Sequence, residues 1–355
     1  MRIAPFSPAL LAAAALAVAG AGRDARAVTV DATLVRNVNP DGLLVFGIDP
    51  TTGTWYTTNG YTGDGGVGNV GSTAYKVYAD EAHFASNQSS GTLTLTGASP
   101  RAGTFGFYVA ASGGFLYGRD ASATGATGIG AWSLSTGANA ASATMTGFGG
   151  NNSTDSFVLG GFTSFNFMTD QTGTYVVAHK STGWKVEEIA GGSNLSLTHE
   201  TAIAVASGTI HYAFVIGGHL FAATGAGPYS SGTVNVAVDL ETGAQTAVNF
   251  TLGGIGSGHL FLDEVLYDSR SDTLYIFNNG TQSLYKVASA AAAFGVTLPE
   301  APSPVPEPAA LGLAAAAALA LTPRAGRRSG ASPRGTSARG ARSGRARASS
   351  RRRAA

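Results

Sequence analysis

The sequence contains no cysteine, which excludes disulfide staples and thiolate metal sites and leaves a buried core to hold an exported domain together. Charge is scarce as well. Only 12% of the residues are Asp, Glu, Lys or Arg, roughly half the ~25% usual in soluble domains, so Thr, Ser, Asn and Gly must solvate the surface. Lys and Glu, which usually clothe solvent-facing helices, are few, while 50 glycines are spread over 355 residues. Long surface helices are thereby disfavoured, and the abundance of Thr, Val, Tyr and Phe favours pleated strands joined by tight turns. Also missing are a Gly-x-x-x-x-Gly-Lys phosphate loop, an HExxH pair and a Gly-x-Ser-x-Gly elbow, the common sequence marks of nucleotide, zinc-protease and esterase chemistry.

What is present begins with two atypical ends. Residues 1–27 have the order of a secretory signal: Arg2, an Ala/Leu run from Ala9 to Ala19, then Ala25-Arg26-Ala27, whose small Ala25 and Ala27 flank a cleavage point before Val28. The apolar run is well short of the ~20 residues that span a bilayer, which favours export over a permanent N-terminal anchor. The net charge of +1 hides an asymmetry, because every charge from Arg324 onward is one of eleven arginines. Between Val28 and Leu298 there are 18 acidic and 8 basic side chains, a balance that disfavours a nucleic-acid ligand for the body.

The body, 28–298, alternates short strand-like runs with turn dipeptides, for example Leu43 to Ile48, Thr54 to Thr58, Thr174 to Ala178, Thr209 to Ile216 and Thr273 to Phe277. Ala288 to Phe294 has room for a turn or two of helix. A Thr-Gly turn recurs with marker glycines at 53, 97, 137, 183 and 243, and then Asn278-Asn279-Gly280. The intervals lie close to the ~40 to 50 residues of a propeller blade. The expected fold is all-β, a propeller of about six blades with Phe115-Leu-Tyr, His219-Leu-Phe and Thr273-Leu-Tyr-Ile as apolar inner strands. N-terminal strands would close the ring on the last repeat. A β-sandwich and a β-solenoid are the alternatives.

At Pro299 the composition changes to a stiff Pro-rich linker, 299–308, then an apolar segment, 309–323, then an Arg-rich tail, 324–355. The residues Val305-Pro306-Glu307-Pro308, the apolar run Ala309 to Leu321 and the basic cluster Arg324, Arg327 and Arg328 resemble the PEP-CTERM sorting signal. That resemblance covers about residues 303–328 and leaves the body unassigned. It implies processing by an exosortase-type membrane enzyme of a Gram-negative bacterium. It also implies an inner-membrane intermediate, delivery to the cell surface, outer membrane or medium, and an association with exopolysaccharide. The C-terminal segment would engage the membrane, in keeping with a transient signal: its thirteen apolar residues make about 20 Å of helix, short for a ~30 Å bilayer. The tail runs longer than such signals normally do and reads as a solvated extension rather than a nucleic-acid arm.

Inside the body, His83, His179, His199, His211, His219 and His259 show no metal-ligand spacing, the nearest groupings being His259 with Asp263 and Glu264, and His199 with Glu200. Asp263, Glu264, Asp268 and Asp272 form the densest acidic cluster, of a kind that could hold Ca²⁺, although a solvated turn in which Asp268 and Asp272 cap backbone amides is the simpler expectation. No catalytic residue and no cofactor is expected. Trp55, Tyr56, Trp132 and Trp184 could stack on sugar rings or pack between sheets. The reading that results is a non-enzymatic surface or matrix module. A secreted propeller hydrolase or lyase, with acidic residues gathered at the central channel, is the alternative.

Overall fold

The computed structural model describes residues 27–37, 46–58, 74–97, 109–120, 128–147, 165–205, 209–225, 232–255, 264–278 and 281–296. All belong to the first of the two units into which the chain divides, Met1–Pro302. Residues 1–26 of the expected signal peptide (1–27), the linker, the apolar segment and the Arg-rich tail lie outside the described residues.

The order begins with two short strands, β1 (Val28–Val30) and β2 (Leu34–Asn37). Five four-stranded antiparallel blades then follow among the described residues. The first is β3 (Phe46–Ile48), β4 (Trp55–Thr58), β5 (Ala74–Tyr78) and β6 (Gly91–Thr94), with a one-turn helix α1 (Glu81–Ala85) between its last two strands. The second is β7 (Ala110–Ser112), β8 (Phe115–Asp120), β9 (Gly128–Ser133) and β10 (Asn139–Thr144). The third is β11 (Phe165–Thr169), β12 (Thr174–Lys180), β13 (Gly183–Ala190) and β14 (Ser196–Ala202). The fourth comprises β15 (Thr209–Ile216), β16 (His219–Gly225), β17 (Thr233–Asp239) and β18 (Gln245–Leu252). The fifth takes β19 (Glu264–Asp268), β20 (Thr273–Asn278) and β21 (Thr281–Tyr285), followed by a helix α2 (Ala288–Ala293).

The fifth blade borrows its fourth strand from the N-terminus: β2 pairs antiparallel with β21. The innermost strands touch in cyclic order, β3 with β7, β7 with β11, β11 with β15, β15 with β19, and β19 with β3. This is a closed propeller, and the clasp by N-terminal strands is the one the sequence predicts. Arg36 on β2 pairs with Glu81 on α1 and its Nε donates to Gln282 Oε1 at 2.7 Å, so the clasp is tied to the first blade as well as the last. β1 adds a parallel fifth strand to the outer edge of the fourth blade.

The expected propeller is present, with five blades in place of about six. The marker turn explains the difference, because it does not occupy one place in the blade. Gly53 ends a turn between first and second strands, Gly137 and Gly243 end turns between third and fourth strands, and Gly183 opens the third strand just after the turn from the second. The turns at Gly53, Gly137 and Gly243 nonetheless share one construction. The glycine amide donates to the carbonyl four residues back at 2.7, 2.8 and 2.8 Å, with φ of 74°, 72° and 72°, a left-handed conformation in which glycine carries no Cβ penalty. Asp272, with φ 46°, takes the same place in the turn between β19 and β20. A second correction concerns the runs expected as inner strands: β8, β16 and β20 are second from the axis, because β7, β15 and β19 precede them as the innermost strands of their blades.

The core lies between blades. One cluster packs the second, third and fourth blades around Phe167, Val177 and Leu220, and another packs the fourth and fifth around Phe214, Phe250 and Ile276, covered by α2. Trp55, Phe84 and Tyr275 fill the seam between the fifth and first blades, where Trp55 stacks on Phe84 at 5.0 Å and meets Tyr275 edge-on at 4.8 Å. Tyr56, Leu116 and Trp132 fill the seam between the first and second. Trp55, Tyr56, Trp132 and Trp184 are all buried, so the reading of these four as sugar-stacking platforms is replaced by packing between sheets.

Candidate functional site: a cleft between the third and fourth blades

The turns joining first to second and third to fourth strands emerge on one face of the propeller. Between the third and fourth blades they leave a solvent-open cleft of about 390 Å³. Its third-blade wall is Thr172 in the β11–β12 turn, Tyr175 on β12, Val186 and Glu188 on β13, and His199 on β14. The fourth-blade wall is the Gly217-Gly218 turn, His219 on β16, and Asp239, Leu240 and Glu241 where β17 turns into β18.

Local sequence rules place each group. Gly217 and Gly218, with φ of 56° and 74°, make the two-residue turn whose twist suits a hairpin, and this sets His219 directly across from Asp239 in the register of β16 and β17. Asp170 stitches the blades together beneath the cleft, its Oδ1 accepting from the Thr172 amide at 2.7 Å and its Oδ2 from the Gly218 amide at 3.3 Å. On the other wall the pairing of β13 with β14 shifts register between Val186 and Glu188, and His199 takes φ 50° there. Such a bulge re-aims a side chain, and His199 joins the cleft while the next residue, Glu200, turns to Lys180 and Lys185.

Hydrogen bonding decides which atoms face outward. Asp239 Oδ1 accepts from the Glu241 and Thr242 amides at 2.9 and 3.0 Å. Those turn amides, Thr242's first, hold its carboxyl below the ordinary range, and Oδ2 is left toward His219 Nε2 at 3.9 Å. His219 Nδ1 lies 3.1 Å from the Gly217 carbonyl oxygen. A carbonyl can only accept, so Nδ1 carries the proton, and Nε2 of the neutral ring is an acceptor. Across the cleft His199 Nε2 stands 3.9 Å from Glu188 Oε2. Thr172 Oγ1 donates to Asp170 Oδ1 at 2.5 Å, so the 3.2 Å contact between Tyr175 Oη and Thr172 Oγ1 uses the phenol proton. Burial, and then the Asp170 and Glu188 charges, push that phenol up, which keeps it a donor toward Thr172 and turns its lone pairs elsewhere. The cleft is therefore rich in acceptors and carries no Lys or Arg.

The other residues singled out by sequence are scattered. Asp268 and Asp272 belong to the β19–β20 turn, where Asp268 Oδ1 accepts from the Arg270 amide at 3.0 Å and Asp272 Oδ1 accepts from the Ala288 amide at 2.9 Å, capping α2. Tyr267 Oη also donates to Asp272 Oδ1 at 3.2 Å. Glu264 opens β19 and Asp268 closes it, about 13 Å of extended chain apart; Asp263 lies outside the described residues. Among the described residues no group of three or more His, Asp or Glu side chains is arranged to hold a metal ion. His83 contacts Asp80 Oδ1 at 2.7 Å on α1, His179 meets the edge of Trp184, His211 is buried in the innermost strand β15, and His259 lies outside the described residues. So do Ala25, Val305, Pro306, Glu307, Pro308, Arg324, Arg327 and Arg328.

Residues 47–291, most of the propeller, match the olfactomedin-like domain. The chain belongs to the olfactomedin-like family. No curated protein matches the sequence. Among solved structures, the glutaminyl cyclase of Myxococcus xanthus is similar at 10% identity, over 73% of this chain and 96% of that chain, with a TM-score of 0.42. The olfactomedin-like match covers four blades, the three strands β19, β20 and β21 of the fifth and both walls of the cleft, while β1, β2 and everything beyond residue 291 lie outside it. Among the described residues no helix is long and apolar enough to cross a membrane.

Proposed function

We propose that this olfactomedin-like protein is exported, delivered to the cell surface through its PEP-CTERM-like C-terminus, and acts there as a non-enzymatic binding module for exopolysaccharide. Olfactomedin-like domains are typically extracellular, which supports the export half of the reading. The expected signal cleavage falls directly before β1, so removal of residues 1–27 leaves both N-terminal strands of the clasp intact.

The observation that carries the binding half is the cleft, where backbone hydrogen bonds pre-set Asp239 and His219 and leave Asp239 Oδ2 and His219 Nε2 as acceptors. Among the described residues neither of its histidines hydrogen-bonds a hydroxyl, the arrangement that activates a nucleophile. Asp239 is held below the usual carboxylate range, whereas a general acid of a hydrolase needs to be raised. The cleft also sits away from the innermost strands, so its carboxylates are not gathered at the axis as the hydrolase or lyase reading requires. Recognition by a pre-formed, partly apolar recess with a few placed polar groups is the chemistry this arrangement suits.

Fractionation of host cells carrying the intact gene, or one with residues 305–308 replaced by alanine, tests the sorting. The intact protein is expected at the surface or in the medium and the variant in the inner membrane; identical distributions would remove the sorting claim. Co-sedimentation of the secreted protein with polysaccharide extracted from the same cells tests the binding. Recovery of the protein in the unbound fraction, or release of new reducing ends or unsaturated sugars, would overturn it.

A further inference from the structure

We propose that the cleft selects polysaccharide bearing free amines, binding the ammonium group of an amino sugar at its His219–Asp239 pair, with Glu188 and Glu241 adding negative charge. The inference rests on the reading of the body as a polysaccharide-binding module and adds the ligand's chemical class.

Three features carry it. The first is sign: Glu188, Asp239 and Glu241 line the cleft with no cationic side chain, in a body with 18 acidic against 8 basic residues. A uronic-acid polymer would be repelled, and a neutral sugar would leave these carboxylates uncompensated by any ligand charge. The second is spacing. His219 Nε2 and Asp239 Oδ2, like His199 Nε2 and Glu188 Oε2, stand 3.9 Å apart, too far to hydrogen-bond each other. At the His219–Asp239 pair, where Nε2 is an acceptor, a nitrogen at about 2.8 Å from both atoms would subtend an angle near 90°, close to what two N–H bonds of an ammonium group can serve. The third is the wall. Val186, Leu240 and the Tyr175 ring give the cleft an apolar side against which the C–H face of a pyranose packs. A volume of about 390 Å³ accommodates one or two sugar rings rather than a long stretch of chain.

Binding of the purified full-length protein to three oligosaccharides of equal length, measured calorimetrically at low and high salt, tests this. The probes are a glucosamine oligomer, its fully N-acetylated counterpart and an oligouronate. The glucosamine oligomer is expected to bind at least about tenfold more tightly than the acetylated one, with affinity falling as salt rises, and the uronate not to bind. Glu188→Gln and Asp239→Asn should each weaken glucosamine binding by about fivefold to tenfold while leaving the circular dichroism spectrum unchanged. Asn at 239 retains an oxygen for the turn amides; should that variant misfold, the exposed Glu241→Gln tests the same charge. Equal affinity for free and acetylated oligomers, a preference for the uronate, or indifference to the substitutions overturns the amine assignment and leaves polysaccharide binding standing. Failure of all three probes, and of the host's own polysaccharide, removes both.

Discussion

Lys180 closes strand β12 with its side chain only 3% exposed, and replacing it with methionine gives a sharp test of how the third blade is held together. Its Nζ lies 2.8 Å from Glu187 Oε2 and 2.6 Å from Glu200 Oε2, and Lys185 Nζ reaches Glu200 Oε1 at 3.4 Å. The two carboxylates differ in what they can do when Lys180 is lost. Glu200 is 43% exposed and can turn to water while keeping Lys185, so its separation should cost no more than about 1 kcal/mol. Glu187 is 9% exposed and has no such escape. Lys180→Met should therefore destabilise the protein by about 3–5 kcal/mol, nearly all of it from stranding Glu187. Glu200→Gln should cost about 0.5–1 kcal/mol. The double variant Lys180→Met/Glu187→Met, which replaces the pair by apolar volume, should recover most of the loss. Urea unfolding with a double-mutant cycle measures all three, the slope of free energy against urea staying constant if only stability changes. Burial alone would draw the Lys180 amine down, but hydrogen bonds and charge from Glu187 and Glu200 leave it above its ordinary value. A raised amine contributes stability below the unfolded pKa of about 10.4 and loses it as pH climbs through the higher folded value. The stability difference between parent and Lys180→Met should accordingly persist at neutral pH and shrink only in strong alkali. A cost below about 1 kcal/mol for Lys180→Met, or a double variant no better than the single one, would refute the account.

Two further outcomes follow from single residues. Burial pushes His211 down from its ordinary value, so the unfolded chain takes up a proton that the native protein refuses, and stability should fall as pH drops below about 6.5. Urea midpoints compared at pH 7.5 and 5.5 should show a smaller decline in His211→Gln, and an identical decline would refute the assignment. Gly137 has φ 72° and a Cβ there would meet the Thr94 carbonyl oxygen at 1.9 Å, whereas Gly113, with φ 59°, faces open space. Gly137→Ala should cost well over the ~1 kcal/mol that the left-handed backbone alone exacts in Gly113→Ala, with thermal unfolding as the measurement; equal losses would show that the backbone contact is not as drawn.

Much of the fold was legible because strand chemistry is local. Second strands such as β12, β16 and β20 combine β-branched and aromatic residues with burial on both faces, and their composition marks them. Outer strands are harder. Asn139–Thr144 is mostly Ala and Ser with alternating exposure, and Ser196–Ala202 is largely exposed. Such segments become strands because a neighbour offers them a ladder to join, not through propensity. The Asp-x-x-Thr-Gly turns are legible in the sequence but do not give the blade number, since a turn of the same chemistry closes hairpins at different places in successive blades.

The cleft was almost invisible beforehand. His199 had been paired with its neighbour Glu200, yet a strand bulge sends the two side chains to different partners. Tyr175, Glu188, His219 and Asp239 carry no spacing that links them, because strands and turns of two successive blades supply the two walls.

By itself the sequence determined the class of fold, the turn chemistry and the strand clasp at the N-terminus, since each depends on residues close together in the chain or on its ends. It also set the acidity of the body and the order of the C-terminal segments, which are matters of composition. Only the tertiary structure decided the number of blades, the burial of the tryptophans and the meeting of acceptors between the third and fourth blades. Ring closure fixes which distant turns stand side by side, and no local pattern encodes that adjacency.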